Sequence, residues 1–183
     1  DMWTQVIDID LPAMVEFERP SGGDNAISEA AEMLSSSKNP IILNGAGVVL
    51  SEGAIDASKA LAERLDAAVC VGYQHNDAFP GSHPLFAGPL GYNGSKAAME
   101  LIKDADVVLC LGTRLNPFST LPSYGIDYWP KDAKIIQVDI NPDRIGLTKK
   151  VSVGIIGDAS LVASKILSKL SDTAGDFDRT ERK

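Results

Sequence analysis

Five short segments constrain this chain more than anything else in it: residues 40–44, 67–72, 106–112, 134–140 and 153–157 are dominated by apolar side chains. A strand with one face in water alternates apolar and polar residues, so a nearly unbroken apolar run marks a strand covered on both faces. Helical spacings lie between these runs. Ala26, Ile27, Ala30, Ala31, Met33 and Leu34 recur at helical intervals before the first run, with Asp24 placed as a cap. Ala54, Ala57, Leu61, Ala62 and Leu65 do so after it, with Ser51 as the cap, and residues 95–103 and 161–170 predict two more helices. Strands alternating with helices predict an α/β domain on a parallel sheet with helices on both faces.

The 183 residues fit one compact unit, given ~100–200 residues per domain. Residues 1–23 alternate briefly and then pass through Pro20-Ser21-Gly22-Gly23, which reads as a connection from a preceding domain. Residues 24–170 form the body, and the polar, aperiodic residues 171–183 read as a connection to a following domain. Opening on Asp1-Met2-Trp3 with no basic-then-apolar leader, the chain is expected to be a piece of a longer cytoplasmic protein. With 17 Lys+Arg against 25 Asp+Glu the net charge is −8, and the longest basic cluster is Lys149-Lys150, too little to neutralise a nucleic-acid backbone. No apolar run approaches the ~18 residues of a membrane span. Nucleic acid and membrane are therefore not expected partners. Cys70 and Cys110 each sit inside an apolar run and read as buried thiols in a reducing compartment.

Three places carry candidate chemistry. Gly45-Ala46-Gly47, between a strand and a helix, either brings backbone amides to a phosphate or makes a tight turn for packing. The third glycine of a dinucleotide fingerprint would fall on Leu50, and the second strand ends in Gly72-Tyr73 without the carboxylate that grips a ribose, which disfavours a dehydrogenase. Gly112-Thr113-Arg114 and Asp139 stand at strand carboxyl ends, where open α/β sheets bind ligands; the alternative is that Asp139 caps the turn Asn141-Pro142-Asp143. The third place is the long loop from Tyr73 to Pro84 with Gly91-Tyr92-Asn93-Gly94. It contains His75 and His83 but no ligand spacing for a metal, and Ser82-His83 with Asp77 lacks a nucleophile elbow. Asn93-Gly94-Ser95 reads as a turn followed by a helix cap.

Taken in order, Pro40-Ile41-Ile42-Leu43-Asn44-Gly45-Ala46-Gly47, Phe79-Pro80-Gly81-Ser82-His83-Pro84, Gly88-Pro89-Leu90-Gly91-Tyr92-Asn93-Gly94, Asp106-Val107-Val108-Leu109-Cys110-Leu111-Gly112-Thr113-Arg114 and Lys134-Ile135-Ile136-Gln137-Val138-Asp139 resemble the central domain of the thiamine-diphosphate-dependent acetohydroxyacid synthase and pyruvate oxidase superfamily. Within it, Gly72-Tyr73-Gln74-His75-Asn76-Asp77 and Arg114-Leu115-Asn116-Pro117-Phe118 look like the branch of sulfoacetaldehyde acetyltransferases.

The resemblance implies a three-layer α/β/α sandwich with a Rossmann-like parallel sheet of about six strands. It also implies a whole enzyme that converts sulfoacetaldehyde and phosphate into acetyl phosphate and sulfite. Thiamine diphosphate and Mg2+ would be held by flanking domains, and the full-length protein would be a homo-oligomer. By itself the central domain would be inactive, with no catalytic or metal-binding residue of its own. Some relatives hold ADP or FAD here, at positions matching Gly45, Gly47, Gly112, Arg114 and Asp139, although Leu115-Asn116-Pro117 departs from the flavin-binding pattern. Gln74, His75, Asn76, Phe79, Tyr92 and Asn93 match the part that faces the substrate funnel. The rival implication is an ADP- or FAD-binding module of another enzyme of the superfamily, such as acetolactate synthase or oxalyl-CoA decarboxylase.

Overall fold

A computed structural model describes residues 4, 6, 8–15 and 17–176. Residues 1–3, 5, 7 and 16 of the expected 1–23 connection, Trp3 among them, and residues 177–183 of the 171–183 connection lie outside the described residues. Six parallel strands form one sheet: β1 (Pro40–Asn44), β2 (Ala68–Val71), β3 (Phe86–Pro89), β4 (Val107–Leu111), β5 (Lys134–Asp139) and β6 (Val153–Ile156), in the order β3-β2-β1-β4-β5-β6. The register pairs Asn44 with Val71 on one side and Leu111 on the other, so β1, β2 and β4 end level. Every residue of β1, β2 and β4 is buried, which is why their runs are unbroken.

Helices α1 (Asp24–Ser36), α2 (Ala46–Leu50), α3 (Ala54–Leu65), α4 (Lys96–Lys103), α5 (Pro117–Thr120) and α6 (Ala159–Lys169) complete the element order, with a 3-10 turn at Pro142–Arg144. Two cores result, one per sheet face. Ile27, Leu34, Leu61, Leu65, Val162 and Ile166 of α1, α3 and α6 pack with Ile42, Val69, Leu109 and Ile136. On the other face Met99 and Ile102 of α4 and Tyr128 pack with Ile41, Leu43, Cys70, Val108 and Cys110. The central strands are thus covered on both faces by this chain's own side chains, the property of a unit that folds by itself, while the edge strand β6 alternates, with Gly154 and Ile156 exposed on one face, contrary to the expectation from its apolar run. Cys70 and Cys110 are buried free thiols, as expected; burial pushes Cys70 up to about 12 and Cys110 also upward, so neither is a ready nucleophile.

Four local expectations are corrected. Strand β3 lies inside what the sequence presented as loop, because Phe86-Ala87-Gly88-Pro89 carries a glycine and a proline and sits at the sheet edge, where proline is tolerated. Asp24 lies in the first turn of α1, and Gly23 holds the cap position without a side-chain bond. Residues 46–50 form the separate short helix α2. Ser51 does not cap α3, whose cap is Gly53; its hydroxyl donates instead to Asp158 Oδ1 at 2.7 Å. Ser95 does cap α4, accepting from the Ala98 amide at 3.2 Å, and the Asn93-Gly94 turn precedes it as expected.

Candidate functional site

The strand order reverses direction between β1 and β4, and a crevice opens at the carboxyl ends of β1, β4 and β5, where that topology leaves room for a ligand. It has two adjoining hollows of about 250 and 290 Å3, which share Ala46, Leu50, Gly112 and Arg144. The first is bordered by Gly47, Asp139, Arg19 and Asp158, the second by Gly45, Arg114 and His75. All five expected cofactor residues therefore reach one crevice.

Their backbone groups, however, are largely engaged within the chain. The Gly45 amide donates to Leu111 O at 2.9 Å, Gly47 to Gly112 O at 2.8 Å, and Val48 to Gly45 O at 3.1 Å. A Cβ on Gly47 would lie 2.6 Å from Gly112 Cα, so these glycines let two backbones touch. Asp139 is 3% exposed, and its Oδ1 accepts from the Asn141 amide at 2.9 Å, the turn-capping role weighed above. What still faces the crevice is chiefly cationic: Arg114, which is exposed, Arg144 at the end of the 3-10 turn, and Arg19.

Arg19 is placed by Asp158, whose Oδ2 accepts from Nη1 at 2.8 Å. Oδ1 of the same carboxylate takes Ser51 Oγ and the Ser160 and Leu161 amides that begin α6. Burial alone would raise the pKa of Asp158, but the Ser51 and Arg19 bonds and the two amides outweigh it and hold the carboxyl below its usual range. The Asp158 amide bonds Pro20 O at 2.7 Å, and Ser21 bridges Gly157, so the end of the expected 1–23 connection is docked on the crevice rim. Arg19, Arg144 and Asp158 were not singled out from sequence. Arg19 sat in an apparent linker, and Arg144 had only the Asn141-Pro142 turn to flag it.

The second expected group lies in the loops after β2 and β3. Gln74, Asn76, Tyr92 and Asn93 are exposed, and His75 is half-buried beside the crevice. Gln74 and Asn93 hold φ of 67° and 56°, in the left-handed region. Phe79 is a correction: it is 2% exposed in the core, stacked on Phe86 at 6.2 Å and edge-on to His83 at 5.2 Å, so it does not face the opening. His83 is structural too. Its Nδ1 accepts from the Leu85 amide at 3.2 Å, which leaves Nε2 to meet Glu63 Oε1 at 3.1 Å. The base of the loop is pinned by Asn44, which donates to Ser58 Oγ and Ala78 O, both at 2.9 Å.

Sequence reasoning named Tyr92 but missed Tyr73 and Phe118, which with it complete an aromatic surface here. Tyr73 stacks on Phe118 at 5.6 Å and meets Tyr92 edge-on at 6.2 Å, and Tyr92 and Phe118 stay 60% and 62% exposed. The two loops are joined by the Tyr92 amide on Phe118 O at 2.9 Å; Gly91, at φ 85°, has no room for a Cβ against that carbonyl. Among the described residues no three His, Cys, Asp or Glu side chains gather where a metal could be held, and no helix is long and apolar enough to cross a membrane.

Comparison with known proteins places this geometry. The chain is 76% identical over all 183 residues to a sulfoacetaldehyde acetyltransferase of Roseovarius nubinhibens, of which it spans 30%. It is 31% identical over 159 residues, 87% of its length, to the acetolactate synthase large subunit of Corynebacterium glutamicum, of which it spans 24%. The benzoylformate decarboxylase structure from Polynucleobacter necessarius superposes on 93% of the chain and 32% of its own length with a TM-score of 0.69 at 23% identity, which shows the shared fold. The family model for the central domain of thiamine pyrophosphate enzymes matches residues 27–166. With its doubly wound sheet and these matches, the chain belongs to the thiamine pyrophosphate enzyme central-domain family.

Proposed function

We propose that this chain is the non-catalytic central domain of a thiamine-diphosphate-dependent sulfoacetaldehyde acetyltransferase, which turns sulfoacetaldehyde and phosphate into acetyl phosphate and sulfite. The observation that carries this reading is the 76% identity across the whole chain to an enzyme of that name, against 31% to an acetolactate synthase. The chain spans about 30% of the length of the sulfoacetaldehyde acetyltransferases it matches, so the activity is that of a longer protein. Residues 1–23 and 171–183 would then connect the domain at 24–170 to its neighbours, and the full-length protein would be a cytoplasmic homo-oligomer in which Cys70 and Cys110 stay reduced.

The residues here do not fit the cofactor. The described residues offer no metal cluster to hold the Mg2+ that accompanies this diphosphate, and the amides of Gly45 and Gly47 are spent. Among the described carboxylates, the buried Asp139 and Asp158 are engaged by backbone amides of their own chain. Thiamine diphosphate and Mg2+ accordingly fall to the flanking domains, and no step is routed through this chain. What this domain supplies is surface: the exposed Gln74, Asn76, Tyr92 and Asn93, with His75, would border the entrance to the reacting site.

A second reading, an ADP- or FAD-binding module, draws support from Arg19, Arg114 and Arg144 around a crevice containing Asp139. The occupied glycine amides weigh against it. The test is to assay the full-length enzyme, loaded with thiamine diphosphate and Mg2+, for acetyl phosphate from sulfoacetaldehyde and phosphate, beside His75→Ala and Asn76→Ala. The expected result is activity lowered in both variants. Acetolactate formed from pyruvate instead would overturn the assignment, and wild-type activity in both variants would remove the loop from the site.

A further inference from the structure

We propose that the amino-terminal edge of the sheet carries a second anion site, suited to a phosphate group, around Trp129, Lys134, Lys149 and Lys150. A hollow of about 430 Å3 opens there, between the segment leading into β5 and the one leading into β6. Four lysines border it with one carboxylate, Asp132, in a chain whose net charge is −8. Lys131 is already matched: its Nζ lies 2.9 Å from Asp127, whose carboxylate raises its pKa. Lys134, Lys149 and Lys150 form no ion pair among the described residues. Lys149 Nζ instead rests 5.1 Å from the centre of the Trp129 ring, a weaker partner than an anion. Ser152 also lines the hollow, and its Oγ accepts from the Ile135 amide at 3.3 Å.

Three unmatched ammonium groups around one hollow favour an anion with more than one charge, and lysine meets phosphate as a point charge without a fixed geometry. Three are too few to follow a nucleic-acid strand. They suit one phosphate or diphosphate group, either as the free inorganic ion or at the end of an organic ester. The site lies beyond the start of β5, and Asp139 at the strand's other end is about 17 Å away at the usual rise per residue. It therefore stands independently of the crevice and of the acetyltransferase reading.

Trp129 reports on it directly, because the chain has two tryptophans and Trp3→Phe leaves Trp129 alone. Titrating the 183-residue Trp3→Phe chain with inorganic diphosphate in about 0.15 M KCl should change the indole emission saturably as Lys149 leaves the ring. Adding Lys134→Gln and Lys149→Gln should weaken that response by about tenfold or more, with circular dichroism unchanged. Lys59→Gln on α3 should not alter it. A parallel titration with glycerol phosphate separates the sources: comparable or tighter binding assigns an organic ester, and a response to diphosphate alone assigns the free ion. No saturable change with either probe, or an equal response in the double variant, would overturn the proposal.

Discussion

The turn at residues 45–47 spends the amides of Gly45 and Gly47 inside the molecule, whereas the loops within the neighbouring segment 72–94 turn polar and aromatic groups outward. Both contribute loops to the carboxyl edge of the sheet, and both contain glycines where a substituent has no room. The difference is what each glycine approaches and what the rest of its segment does. Gly47 lies against Gly112, closing the seam between β1 and β4; Gly91 lies against Phe118 O and lets the chain around it present Tyr92 and Asn93. A glycine-rich turn is thus no guide to a ligand until the partners of its amides are known.

The largest effect should come from the sealed region. Gly47→Val would push a branched side chain into the Gly112 backbone and should cost about 3 kcal/mol or more, read by urea denaturation. Asn44→Ala removes two hydrogen bonds of 2.9 Å, one from β1 to Ser58 on α3 and one to Ala78 O at the base of the loop, and leaves both acceptors short of a partner. About 2 kcal/mol is expected, together with faster proteolysis within 73–85 than elsewhere. Equal protection of that loop in the variant would break the claim that Asn44 holds it.

Asp158→Ala should cost about 1–2 kcal/mol through the lost cap of α6 and should free Arg19 from the crevice rim. The same carboxylate sets a pH dependence. Its folded pKa lies below the unfolded value of about 4, so its contribution is present in full above that pH and is lost as pH falls through the folded value. Asp106 behaves alike: burial raises its pKa, but the Ser37 hydroxyl and the Lys38 and Asn39 amides more than offset this. The thermal midpoint should therefore drop on acidification below about pH 4, and less steeply in Asp158→Asn. The smallest effect on stability belongs to the outward region. Tyr92→Ala and Phe118→Ala, at 60% and 62% exposure, should stay within about 1 kcal/mol of the parent while lowering activity of the full-length enzyme. Large destabilisation with activity intact would reverse the contrast.

Sheet and helices were legible because burial on both faces leaves an unmistakable apolar run, as in Val107-Val108-Leu109-Cys110-Leu111. Strand β3 was hidden because an edge strand needs no such run, and its glycine and proline read as loop. The Gly45, Gly47, Gly112, Arg114 and Asp139 group could be placed at one crevice from strand ends alone, since topology fixes where strand ends meet. Whether its amides were available could not be read, because Leu111 O and Gly112 O reach Gly45 and Gly47 across more than sixty positions of chain. Phe79 is placed at the funnel by resemblance of its segment alone, and a segment's resemblance does not say which of its side chains turn inward; Phe86 and His83 pack against this one.

Calorimetric titration of the 183-residue chain with ADP and with FAD, beside Asp139→Ala, tests most directly whether the domain is a scaffold. With the glycine amides engaged, no saturable heat that depends on Asp139 is predicted up to about 1 mM of either nucleotide; heat that persists in Asp139→Ala and is lost in Lys134→Gln/Lys149→Gln belongs to the lysine hollow instead. Saturable binding that disappears in Asp139→Ala would contradict the account and make the crevice a working nucleotide site.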